Sequence, residues 1–244
     1  MRLDALQLRL RRRTPAQAGE LGVRLCQAHL GQVYAAYAVA ALPVLALAFA
    51  TSELAGWMPM LTIWWALPWL DRTILFVLSR AAFGQRTTPR DVWRAQRTVW
   101  WRQAWFTLTV RRASPWRTVT EPVYLLEGLP LGPSGLRVRQ IRRRLIGGGL
   151  MLTHTYAVAE LCVMAALLSL VVWFAPQGSG TNVMDFLFDG SGGWTALVLT
   201  GAYAVAVCLL EPFYVAAGFA LYLNRRAELE AWDIEQEFRR AFAA

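Results

Sequence analysis

Lysine is missing altogether: every one of the 25 basic residues in this 244-residue chain is an arginine. The formal charge of +9 is therefore carried by a planar, permanently charged cation. Cysteine is scarce too. Cys26, Cys162 and Cys208 have no spacing that suggests a metal site or a disulfide framework, and they read as small buried apolar residues. The two histidines, His29 and His154, belong to no metal-ligand pattern. Nucleophile elbow, Walker loop and dinucleotide fingerprint are all absent. These absences point away from an enzyme and leave no catalytic, cofactor-binding or metal-ligating residue to assign. The run Gly147, Gly148, Gly149 reads as close helix packing or a hinge rather than a phosphate loop.

Apolar side chains, by contrast, are abundant. Hydrophobic residues make up 56% of the chain and charged ones 17%, with twelve tryptophans and a mean hydropathy of +0.34. Soluble domains hold about half apolar and about a quarter charged residues, so a membrane protein is the class to test first. Four stretches meet the criterion of ~20 mostly apolar residues that cross ~30 Å of hydrocarbon: Gln32 to Ser52, Leu54 to Phe83, Leu145 to Phe174 and Trp194 to Leu223. No apolar stretch follows the arginine-rich Met1 to Arg13 closely enough to make a cleavable signal.

The connections differ sharply in charge. Residues 1–30 hold six arginines, 85–145 thirteen and 224–244 four, whereas the two remaining links hold none. The positive-inside rule then places both termini and the long loop in the cytoplasm of a bacterial inner membrane, with the link from Ala175 to Gly193, bearing Asp185 and Asp189, facing the periplasm. The expected organisation is all-α: an integral membrane bundle of four transmembrane helices with added amphipathic helices. It divides into a cytoplasmic amphipathic segment (1–30), a transmembrane hairpin (31–84), a Trp/Arg-rich loop (85–145), a second hairpin (146–223) and a C-terminal helix (224–244).

Two helix starts are legible outside the spans. Thr14, Pro15 and Gln17, and again Thr88, Pro89 and Asp91, each combine a threonine cap, a proline at the first position and a third residue that reaches back. The second start opens a helix carrying Trp93, Trp100, Trp101 and Trp105 among arginines, expected to lie flat in the headgroup layer rather than on nucleic acid. Arg142, Arg143 and Arg144, just before the third span, form a stop for translocation and an anionic-lipid site. Arg225 to Arg240 reads as an amphipathic helix.

Charges inside spans cost about 2.5 to 3.5 kcal/mol each on insertion scales, so Asp71, Arg72, Glu160 and Glu211 must face protein or water. The three acids lie roughly 18 to 23 Å from the arginine-rich ends of their helices, at ~1.5 Å per residue. Two readings stay open. One is a salt-bridge network around Arg72 that holds the helices in register; the other is an ion relay or substrate site, with Tyr156 one turn from Glu160.

Three phrases carry a resemblance: WW…LPWLDRTILFVLSRAAFG at 64–84, SPWRTVTEPVYLLEG at 114–128 and EPFYVAAGFALYLNRRAELEAWDIEQEF at 211–238. They resemble an uncharacterised bacterial family of multi-pass inner-membrane proteins. The last is also similar to the closing motif of the membrane domain associated with glycerophosphodiester phosphodiesterases, here Tyr222, Arg225, Arg226, Trp232, Asp233, Ile234 and Glu235. That likeness implies location, not hydrolysis, since the catalytic barrel is a separate domain. Family likeness implies gene neighbours that encode a MoxR-type AAA+ ATPase and other small membrane proteins. The expected function is thus a non-enzymatic subunit of a membrane assembly, docking partners through the loop and the C-terminal helix, with self-association allowed. The alternative is a small transporter or channel using the intramembrane acids.

Overall fold

The computed structural model describes residues 13–129, 131–174 and 193–230, and among them there are helices and turns but no strand. Four helices are long and apolar enough to cross a membrane: Leu30–Glu53, Met58–Ala81, Ile146–Val171 and Trp194–Glu230. They belong to α2 (Leu30–Ala50), α3 (Met58–Ala81), α8 (Ile146–Trp173) and α9 (Gly193–Glu230). The protein is an all-α multi-pass membrane protein. The link 175–192, the N-terminal residues 1–12 and the stretch 231–244, which includes Trp232, Asp233 and Glu235, lie outside the described residues.

Burial is uneven among the four spans. The most apolar window of α9 is 72% buried and that of α3 61%, whereas no residue is buried in that of α8. α3 and α9 therefore form the protein core, with Ile74, Leu78, Phe219 and Tyr222 at its centre. α8 leans on α9 and leaves Leu150, Met151, Val158 and Leu161 exposed, as lipid-facing residues should be.

α1 (Pro15–Ala28) begins with the expected reciprocal cap: the Gln17 N–H donates to Thr14 Oγ1 and the Thr14 N–H to Gln17 Oε1. It does not lie free on the membrane surface. Ala18, Gly22, Leu25 and Cys26 are buried against α9. A Cβ on Gly22 would lie 2.2 Å from the Ala216 carbonyl oxygen, so glycine sets how closely these helices cross. Asn224 fixes the N-terminal end by exchanging two hydrogen bonds with the Arg13 backbone. At the other end of the chain, α9 continues without a break to Glu230, so the first residues of the expected C-terminal helix extend the fourth span.

The loop departs most from expectation. α4 (Pro89–Arg94) has the Thr88–Asp91 cap but ends after six residues. A π-type turn (Arg97–Trp101), a left-handed Gln103 at φ 57°, α5 (Ala104–Leu108) and a 3-10 turn (Arg111–Ala113) follow. Instead of one flat helix, this broken segment runs along α3 from the arginine-rich end toward the opposite one. The Trp69 indole N–H donates to Trp100 O, Arg72 to Arg102 O, and Arg112 reaches Trp64 O at 2.8 Å. Trp64 stands about 25 Å from the Ala81 end of α3 at ~1.5 Å per residue. The chain then returns as α6 (Arg117–Leu126), buried between α3 and α9, and leaves through α7 (Leu131–Arg142). Residues 100–127 are a re-entrant segment, and a Cβ on Gly218 would lie 2.4 Å from the side chain of Thr118, so α6 rests directly on the backbone of α9.

Candidate functional site

Burying an irregular backbone between spans is tolerated only where its polar groups find partners or line a wet cavity. Two charge clusters meet this need. In the first, Arg117 at the start of α6 lies 3.2 Å from Asp71 and 2.5 Å from Glu211. One guanidinium joins α3, α6 and α9. In the second, Glu121, one turn further along α6, lies 3.2 Å from Arg72 and 3.7 Å from Arg111. Arg111 also stacks on Tyr124, with Cζ 3.2 Å from the ring centroid, and donates to Gln103 Oε1 at 2.5 Å.

The expected network around Arg72 is thereby corrected. Arg72 follows Asp71 directly, and neighbours in sequence point about 100° apart on a helix, so the two turn to different partners one turn apart on α6. Asp71 and Glu211 do meet, as matched depth suggested, but on Arg117. Arg72 turns to Glu121 instead.

Glu160 joins neither cluster. It lines a cavity of about 280 Å³ bounded by α3, α8, α9 and the re-entrant segment, together with Arg112, Arg117, Tyr156, Tyr203, Glu211 and others. Two lining groups of opposite charge lack partners there: Glu160 Oε1 is buried without a hydrogen bond, and so are Nε and Nη1 of Arg112. Arg112 is held by its third nitrogen on Trp64 O and by stacking, its Cζ 3.2 Å from the Trp64 ring centroid and 4.7 Å from that of Trp65. Tyr156 and Tyr214 stand 5.4 Å apart between ring centroids, and Thr153 Oγ1 lies 2.8 Å from Tyr214 Oη. Among the described residues no group of histidine, cysteine, aspartate and glutamate comes together to hold a metal ion.

The expected interfacial residues divide. Trp93, Trp101 and Trp105 are exposed at 58%, 64% and 82%, but Trp100 is 5% exposed. Its indole donates to Thr73 Oγ1 at 2.8 Å, which makes it core rather than surface. Trp101 lines a second, apolar cavity of about 480 Å³ with Val44, Ala66 and Trp69, so it packs beside α2 and α3 rather than standing free at a headgroup layer. Arg142 lies over the Trp116 ring at 5.0 Å, and Arg143 and Arg144 are exposed. Arg225 pairs with Glu228 at 2.7 Å. Arg226 and Arg137 both reach Glu230, and Arg137 also holds Glu127, which accepts from Tyr222 Oη. Burial works against the charge of Arg137, but its bonds to Glu127 and Glu230 outweigh that and raise its pKa.

Sequence reasoning missed Arg112, Arg117, Glu121, Arg111 and Tyr203. Arg117 and Glu121 sat in a loop whose charge suggested solvent. Their one signal was the i,i+4 spacing within a stretch with buried-type residues Val119 and Val123 also one helical turn apart.

No protein-family model, curated protein or solved structure matches this chain.

Proposed function

We propose that this chain is a small inner-membrane carrier that takes a charged ligand into the cavity between α3, α8, α9 and the re-entrant segment. The observation that carries the reading is the re-entrant segment itself. It brings Arg112 and Arg117 to the depth of Glu160 and Glu211 and lines a polar chamber with them. Such a chamber is where intramembrane charge is kept for solute passage. In this reading the arginine-rich end faces the cytoplasm, together with both termini.

The test is water access. With Cys26, Cys162 and Cys208 replaced by alanine, Ala157→Cys in the cavity wall should react with a hydrophilic methanethiosulfonate in intact membranes. Val158→Cys, on the exposed face of α8, should not. An unreactive Ala157→Cys in folded protein would end the reading, because a chamber closed to water carries no solute.

A second reading, as a non-enzymatic subunit of a larger membrane assembly, draws support from Trp93 beside exposed Arg90, Arg94 and Arg97 and from Arg142, Arg143 and Arg144 at the same end. Other membrane subunits or an ATPase of the MoxR type would dock there. Gentle purification followed by mass spectrometry checks it: stoichiometric partners support this reading, and recovery of the chain alone removes it.

A further inference from the structure

Arg112 and Glu160 are opposite charges in one chamber that do not use each other, since neither makes an ion pair among the described residues. A guanidinium with two buried nitrogens free of hydrogen bonds needs an oxyanion, and a carboxylate with a free buried oxygen needs a donor. Leaving both unmet inside a membrane is costly, whereas a single ligand with an anionic and a cationic group would meet both. The chamber's aromatic lining fits the cationic end: Tyr156 lies one helical turn before Glu160 on α8, and Tyr203 also lines the wall.

The chamber also has an apolar continuation. Trp64 and Tyr203, which line it, also border a groove of about 360 Å³ with Trp57, Met60 and Leu61. Met60 and Leu61 lie in the first turn of α3, so the groove leads toward the arginine-poor end of the bundle. A charged head held by Arg112 and Glu160 would thus lie next to an apolar path to that end.

From these features we infer that the ligand is a zwitterionic amphiphile: a phosphate or carboxylate on Arg112, an ammonium group at Glu160 and Tyr156, and a hydrocarbon chain in the groove beside Trp57 and Met60. The inference rests on the carrier reading and narrows its ligand to this class. A membrane lipid and a soluble zwitterion share the head-group chemistry, and the chain tells them apart.

The experiment is native mass spectrometry of the purified full chain in detergent with three probes: lysophosphatidylethanolamine, lysophosphatidylglycerol and glycerophosphoethanolamine. The wild-type protein should hold lysophosphatidylethanolamine at least tenfold more tightly than either other probe, a comparison that needs no variant. Glu160→Gln should erase the preference over lysophosphatidylglycerol, and Arg112→Gln should weaken both lipids. Equal retention of the two lipids overturns the role of Glu160. Tighter binding of glycerophosphoethanolamine overturns the role of the groove and leaves a soluble zwitterion as the ligand. Binding of none of the three, with Ala157→Cys still reactive, overturns the inference but not the carrier; both fall if Ala157→Cys is inert as well.

Discussion

Arg117 is the residue on which most of the interior charge depends. It balances Asp71 on α3 and Glu211 on α9, so Arg117→Met leaves two buried carboxylates face to face. Breaking a buried ion pair from one side costs about 3–5 kcal/mol, so thermal unfolding of the purified variant should shift down accordingly. Adding Asp71→Asn and Glu211→Gln should restore much of that loss, since the charges go together. A neutral single variant would show that no such pairing holds the spans. By the same logic Glu211→Gln lowers stability, while Glu160→Gln leaves the melting point in place and changes only ligand binding. Asp91 gives a pH dependence at the surface. Its carboxylate accepts from the backbone N–H and the hydroxyl of Thr88, and these bonds hold its pKa below the ordinary 3.8. The cap is therefore in full force above that ordinary value and is lost as pH falls through the lower folded one. Amide exchange at Asp91 and Val92 should quicken over that acid range and not at neutral pH.

Among the elements, the four spans and both threonine caps were legible because length, apolarity and capping chemistry are local. α6 was not. Its residues Thr118 to Leu126 are too few and too mixed to read as a span, and Glu121 looked solvated until Arg72 and Arg111 appeared beside it. The flat tryptophan helix failed for a related reason. Trp100 reads like its neighbours in sequence, and only the hydroxyl of Thr73, 27 residues earlier, turns it inward. What places α6 is contact with α9 at Gly218. Gly218→Leu must displace the backbone of Thr118, 2.9 Å from where its Cβ would fall, and overpacking of this kind costs about 1–3 kcal/mol. In that variant a cysteine at Val123, fully buried otherwise, should become reactive to a hydrophilic thiol reagent. Continued protection would mean that α6 does not rest on α9.

For the whole molecule, the segment 100–127 enters and leaves from one end of the bundle, so it adds membrane depth without adding a crossing. Topology reporters fused after Ala95 and after Gln140 should therefore report the same side, and a reporter in the 175–192 link the other. Opposite sides for the first two fusions would make the segment a true fifth crossing.

The uneven burial of the spans has a mechanical consequence. Thr153, Tyr156, Ala157 and Glu160 give the chamber one wall, and all four stand on α8, the span without a buried residue in its apolar window. No ion pair among the described residues involves α8. Among the described residues its polar ties to other elements are three hydrogen bonds near its start: Ile146 O with Trp116, and Thr153 with Pro115 O and with Tyr214. Each is worth ~1 kcal/mol, and lipid replaces lost apolar contacts with α9 at little net cost. α8 is thus the least firmly tied wall of the chamber, held at its glycine-rich end, where a Cβ on Gly149 would lie 2.5 Å from Trp116, while Arg117 ties α3, α6 and α9 to one another.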